Sequence, residues 1–195
     1  MRSFDSAMFS RGLFRGAAGD AAALEANDRA ITSAGVSGRR IGIIHIDERV
    51  GATTIATELL RLLVSRRDQP VLGIDFTGSS DGLGGRIGAP AVPASSTRAT
   101  ARTTAEAIAG LPHTADGAYL LRPAGGAADL AATWISEAAP IVRFFDVVVV
   151  DFGARHPELD LAACASFVDV VCLVAAPTRA AAEIAASLAA GLAQL

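Results

Sequence analysis

The chain has 195 residues, 51% of them hydrophobic and many of those alanine, with a formal net charge of −3. That length suits one domain with a sizeable core. The charge gives no general attraction to nucleic acid, and no apolar run reaches the roughly 18–20 residues that span a bilayer. The N-terminus lacks the continuous apolar stretch of a secretory signal. Cys164 and Cys172 lie in apolar segments without metal-ligand spacing, and His45, His113 and His156 are scattered. A cytoplasmic protein with reduced thiols and no metal site is therefore expected.

Residues 1–19 hold Phe4, Phe9 and Phe14 together with Met8, Leu13, Arg2, Arg11 and Arg15. At about 100° per residue these apolar side chains scatter round a helix instead of forming one stripe. A tail that docks on its own domain or on a protein partner through Phe4, Met8, Phe9, Leu13 and Phe14 is one expectation; a disordered tail is the other. A helix over 20–32 follows, capped by Asp20, with Leu24 and Ile31 as apolar contacts. A small-residue linker over 33–38 closes this N-terminal region (1–38) ahead of a main domain over 39–195.

The apolar run Ile41-Gly42-Ile43-Ile44-His45-Ile46 predicts a first strand over 40–46. A helix over 51–65 should bury Ile55, Leu59, Leu60, Leu62 and Leu63, leaving Thr57, Glu58 and Arg61 outside. A short strand over 71–75 stops at the carboxylate Asp75. A small helix over 81–87 and an aperiodic Pro/Ser/Thr/Arg-rich connection over 88–104 come next. A weak strand is expected over 118–122, then a helix over 127–139 that Pro140 should end or kink. The run Asp146-Val147-Val148-Val149-Val150-Asp151 predicts a strand buried on both faces. A helix over 159–165, a strand over 168–174 and a helix from Thr178 onward complete the pattern. Strands alternating with helices imply an α/β fold: a three-layer, doubly wound, mostly parallel sheet.

Between the first strand and its helix lies Asp47-Glu48-Arg49-Val50-Gly51-Ala52-Thr53-Thr54. Strand, loop and helix in that order form the setting of the phosphate-binding motif G-x-x-x-x-G-K-[ST], but Ala52 stands where the lysine belongs. All 17 basic residues are arginines, so no lysine elsewhere can substitute. In order and spacing, about residues 40–190 resemble the MinD/ParA family of deviant P-loop ATPases. Members typically read K-G-G-V-G-K-T-T at this loop. Ile74-Asp75-Phe76-Thr77-Gly78 is similar to the family's I-D-x-D-P, and Val147–Asp151 to its Walker B strand. Asp169-Val170-Val171-Cys172-Leu173 and Pro177 resemble the strand and proline that follow.

The resemblance implies a P-loop NTPase fold, short at its C-terminus and extended at its N-terminus, with incomplete base recognition. It further implies magnesium held by Thr53, Asp75 and Asp151, and phosphate by Arg49, Gly51, Thr53 and Thr54, if Mg²⁺ and ATP bind at all. Asp47 replaces the family's signature lysine, which reaches across a nucleotide-sandwiched dimer, so no such dimer cycle is expected. Asp47 and Glu48 place negative charge where a triphosphate needs positive charge. At about 5 Å and an effective dielectric near 20, one like-charge pair costs on the order of 3 kcal/mol. The alternative roles are structural: Thr53 and Thr54 cap the helix, while Asp75 and Asp151 bond to the loop.

The expectation preferred is a pseudo-ATPase with no catalytic residues and no cofactor. It would bind a protein partner in cell-pole or septum positioning, in segregation, or in secretion or pilus machinery, and could be recruited there to a membrane-associated complex. A working Mg-ATP switch using Arg49, Thr53, Asp75 and Asp151 is the alternative. A DNA- or membrane-surface anchor using the N-terminal arginines with Arg98 and Arg102 is the third.

Overall fold

The computed structural model describes residues 17–32, 38–124, 129–155 and 160–193. Phe4, Met8, Phe9, Leu13 and Phe14 lie outside these residues, as does most of the expected linker. The chain divides into two compact units, Met1–Ala34 and Gly35–Leu195. In the first, helix α1 (Ala17–Thr32) begins ahead of the expected cap. Asp20 therefore sits within its first turn, where a carboxylate favours the positive end of the helix dipole. Leu24 is exposed rather than a packing contact.

The second unit is built on a five-stranded sheet in the order β3-β2-β4-β1-β5, with every neighbouring pair parallel. Its strands are β1 (Arg39–His45), β2 (Val71–Asp75), β3 (Tyr119–Leu121), β4 (Val147–Ala154) and β5 (Val170–Val174). β2 is buried at every position and β4 at all but its last, as the unbroken apolar runs require. The chain leaves β1 through α2 (Ala52–Arg66) toward β2, on the β4 side. It leaves β4 through α8 (Leu161–Ser166) toward β5, on the far side of β1. Adjacent strands that send their connections in opposite directions open a crevice at their carboxyl ends, and that crevice is where this class of sheet binds ligands.

Packing departs from the expected pattern in ways that have local causes. Helix α2 buries Ala52, Ala56, Thr57, Leu60 and Leu63, while Ile55 and Leu62 are exposed. Thr57 tolerates burial because its hydroxyl donates to the Thr53 carbonyl at 2.7 Å. Leu60 fits because β2 carries a glycine beneath it: a Cβ on Gly73 would lie 2.9 Å from Leu60 Cδ2 and 2.6 Å from Leu120 Cδ1.

The connection over 88–104 is not featureless. After α3 (Leu83–Ile87), the small helix expected over 81–87, it holds α4 (Ser96–Ala99) capped by Ser95 and leads into α5 (Thr104–Ala107) with a Thr103/Glu106 capping box. Arg98 is buried and donates to the Ala109 and Pro93 carbonyls; its burial lowers the guanidinium pKa, with Glu137 opposing. A buried arginine cannot serve a DNA or membrane surface, so that support for the anchor falls away.

Pro140 does not end its helix either. Between α6 (Leu130–Thr133) and α7 (Ala139–Val142) lies a π-helical turn, Trp134–Ala138, and Pro140 sits in the first turn of the last segment. The wider turn passes over the missing proline N–H, so the helix continues.

β4 outlasts the expected strand because it contains a bulge. Ile43 pairs with Asp151 but Ile44 with Gly153, leaving Phe152 as the extra residue. Phe152 is fully buried, stacked on Phe76 at 6.1 Å between centroids, and Phe76 in turn meets Trp134. α9 (Arg179–Leu192), capped by Thr178, follows β5 and has no buried residue.

Candidate functional site

At the carboxyl ends of β1 and β4 lies a cavity of about 390 Å³, lined among others by His45, Glu48, Arg49, Thr53, Asp81 and Arg86. The loop from β1 turns left-handed at Arg49 (φ 60°) and again at Gly51 (φ 87°), the residue that precedes α2. Arg49 thus adopts a conformation a glycine takes freely, at a cost of roughly 1–2 kcal/mol for an L-residue. The His45 ring donates from Nδ1 to the Asp47 carbonyl at 2.7 Å. The Asp47 carboxylate points out of the loop and accepts from the Ala176 N–H at 3.5 Å, fastening the loop to the β5–α9 connection.

Gly51 occupies the cap of α2 and offers no side chain, so neither Thr53 nor Thr54 caps the helix as the structural alternative supposed. Thr54 Oγ1 instead accepts from Arg86 Nη1 at 2.9 Å. Ala52 is buried, its methyl group part of the core.

The two carboxylates beneath the crevice differ. Both oxygens of Asp75 are engaged: Oδ1 accepts from the Thr77 N–H (2.9 Å) and Thr77 hydroxyl (2.6 Å), and Oδ2 from the Gly84 N–H (2.8 Å). Arg122 Nε stands 3.7 Å from Oδ2. These contacts go to the β2–α3 loop, not to the loop after β1.

Asp151 is fully buried; its Oδ1 accepts from the Gly153 N–H at 3.1 Å, and its Oδ2 makes no hydrogen bond. Burial raises its pKa above the usual carboxylate value, opposed by the Thr53 hydroxyl and the Gly153 N–H. Asp151 Oδ2 and Thr53 Oγ1 therefore suit a hydrated cation; the engaged oxygens of Asp75 do not. Among the described residues, no cluster of three or more His, Cys, Asp or Glu is arranged to hold a metal.

Of the residues singled out from sequence, Arg49, Gly51 and Thr53 line the cavity, Thr54 meets it through Arg86, and Asp75 and Asp151 lie beneath. Sequence reading missed Arg86, Arg122 and Arg155. All three donate to carbonyls of the β2–α3 loop: Arg86 to Asp81, Arg122 to Ser79 and Arg155 to Phe76. One signal existed, since Arg86 is the only basic residue between Arg67 and Arg98. The lining side chains Glu48 and Asp81 are balanced by Arg49 and Arg86, so no net positive field meets a polyanion.

No protein-family model and no curated protein sequence matches the chain. Solved structures do match in fold. The chain is similar to a ParA family ATPase from Chlorobium tepidum (TM-score 0.63, 17% identity, covering 82% of this chain and 69% of that one). It is also similar to the kinase domain of the Escherichia coli tyrosine kinase ETK (TM-score 0.59, 18% identity, 89% and 69% covered). The chimerical protein CapA2B2 aligns at TM-score 0.55 and 13% identity, over 99% and 87% of the two chains. At these identities the likeness establishes the fold: a ParA/MinD-like P-loop NTPase architecture. Among the described residues, no helix is long and apolar enough to cross a membrane.

Proposed function

We propose that this protein is a non-catalytic member of the ParA/MinD-like fold, kept as a scaffold that binds a protein partner as a positioning or regulatory subunit. The observation that carries this reading is the charge of the cleft. The place of the phosphate-binding lysine is a buried alanine, the two lining arginines are matched by two carboxylates, and Asp75 is committed to its own loop. Phosphoryl transfer depends on fixed positive charge on the transferring group, and this cleft has no surplus of it. The N-terminal Phe4, Met8, Phe9, Leu13 and Phe14 are the proposed partner contacts, and no sandwich dimer is part of the cycle.

Titration of the full chain with a fluorescent ATP analogue and Mg²⁺ tests the reading. No saturable binding in the micromolar range is expected. Saturable binding that disappears in both Thr53→Ala and Asp151→Ala would establish a Mg-ATP switch instead. The observation favouring that second reading is specific: the unsatisfied Asp151 Oδ2 beside Thr53, at the foot of a left-handed loop.

A further inference from the structure

One row of residues crosses the sheet beneath α2: Gly73, Val149, Ile41 and Val170 are successive partners in β2, β4, β1 and β5. The row faces α2, since a Cβ on Gly73 would meet Leu60. The next row on that face ends at Ile43 and Cys172. Burial falls away along both rows. Val149 and Ile43 are buried, Ile41 and Cys172 half-buried, and Val170 is 52% exposed. Helix α9 lies on the opposite face, where Leu188 and Leu192 pack with Val171 and Leu173 against the core.

The flank of α2 above this strip is apolar as well. Ile55 (44% exposed), Leu59 and Leu62 (40% exposed) recur at helical spacing. The other flank is turned toward β3: Arg61 reaches Asp116 at 3.6 Å, and a Cβ on Gly117 would lie 3.2 Å from Val64. Ile55, Leu59 and Leu62 therefore overhang β1 and β5 as the wall of a trough floored by Ile41, Val170 and Cys172. Among the described residues, three of the six exposed large hydrophobic side chains line it. Two strands are about 10 Å across, the space one helix fills when it packs roughly 8–10 Å from its neighbour.

The foot of the trough is basic. Arg39, exposed and two residues before Ile41, lies on the same face, and Arg66 ends α2 one turn beyond Leu62 on the same flank. Beside them Arg40 and Asp169 neutralise each other at 2.9 Å, as Arg61 and Glu58 do on the outer surface at 2.7 Å. Cations at this end suit the carboxyl end of a helix and acidic side chains in its last turn. We propose that the trough seats one amphipathic helix of a protein partner, running beside α2 in the same direction, its apolar stripe inward and its carboxylates over Arg39 and Arg66. The seated helix completes the cover that a parallel sheet requires on that face. This docking rests on the scaffold reading above and gives the scaffold a second contact surface.

The test uses a fluorescein-labelled synthetic helix of about 15 residues, with leucines at three- and four-residue spacing and glutamates in its last turn, followed by anisotropy on the full chain. Saturable binding on the order of 100 μM is expected. Leu62→Glu and Val170→Glu should each weaken it at least about tenfold and Arg39→Glu about threefold, while Ile184→Glu on α9 leaves it unchanged. In the unaltered chain the same peptide should slow alkylation of Cys172 about threefold or more, a readout that needs no variant. Absence of saturable binding, indifference to Leu62→Glu and Val170→Glu, or an equal loss in Ile184→Glu overturns the proposal. So does sedimentation that finds the unaltered chain dimeric and Val170→Glu monomeric, which assigns the trough to a second copy. ATP binding in the titration above would refute the non-catalytic reading and leave this surface standing.

Discussion

Asp151 combines complete burial with a carboxylate oxygen that no donor satisfies. Burial raises its folded-state pKa, so the folded protein holds the proton more tightly than the unfolded chain does. The sign follows. This group favours the fold most below the ordinary carboxylate pKa, and its contribution is lost as pH rises from there through the raised folded value. Asp151→Asn removes the buried charge and retains an oxygen for the Gly153 N–H. It should raise the melting temperature at neutral pH by about 2–4 °C, equivalent to roughly 1 kcal/mol. It should also flatten the fall in stability between acidic and neutral pH. A lower melting temperature at pH 7 would mean that the charge is compensated in the native state. Asp169 behaves oppositely: hydrogen bonds from the Arg40 side chain and N–H hold its pKa down, so its contribution fades on acidification.

At the scale of elements, close approach decides what the strands tolerate. A methyl group on Gly42 in β1 would come within 2.7 Å of the Phe152 ring and 3.1 Å of Val168 Cγ2. Gly42→Ala should therefore destabilise by about 1–3 kcal/mol through overpacking. Gly191 in α9 has nothing within 4 Å of such a methyl, so Gly191→Ala should be neutral or stabilise by up to about 1 kcal/mol. Urea unfolding of the two variants checks both, and equal midpoints would refute the packing argument.

The same contrast explains what the sequence made legible. β2 and β4 could be placed from their apolar runs because burial on both faces leaves a signature along the chain. The bulge at Phe152 was hidden because it accommodates Phe76, a neighbour distant in sequence, and the π-helical turn before Pro140 was hidden because a proline's missing N–H can be met either by a break or by a widened turn. The buried face of α2 was misjudged because it is set by a glycine on another strand. At the cleft, Thr53, Asp75 and Asp151 were singled out by their resemblance to the motifs of MinD/ParA proteins. Their hydrogen-bond partners were not, and the partners decide that Asp75 is committed while Asp151 is unsatisfied. Arg86, Arg122 and Arg155 converge only after β2, β3 and β4 are aligned.

Over the whole molecule, the chain divides into a first unit, Met1–Ala34, and the sheet-bearing unit, Gly35–Leu195. Removing residues 1–34 should leave the melting temperature of the remainder within about 2 °C of the full chain. The same deletion should abolish partner capture in a pull-down. A large loss of thermal stability would show that these residues complete the fold rather than serve a partner.

Trp134, the chain's single tryptophan, stacks on Phe167 at 4.9 Å and touches Phe76 at 6.1 Å. Phe76 follows Asp75 directly and stacks on Phe152, the neighbour of Asp151. The indole is thus one ring away from Asp75 and two from Asp151, joined to them through close-packed aromatic contacts that transmit small displacements. Nature has placed an intrinsic fluorophore where it can sense the crevice floor, so occupancy there can be followed by emission without attaching a dye.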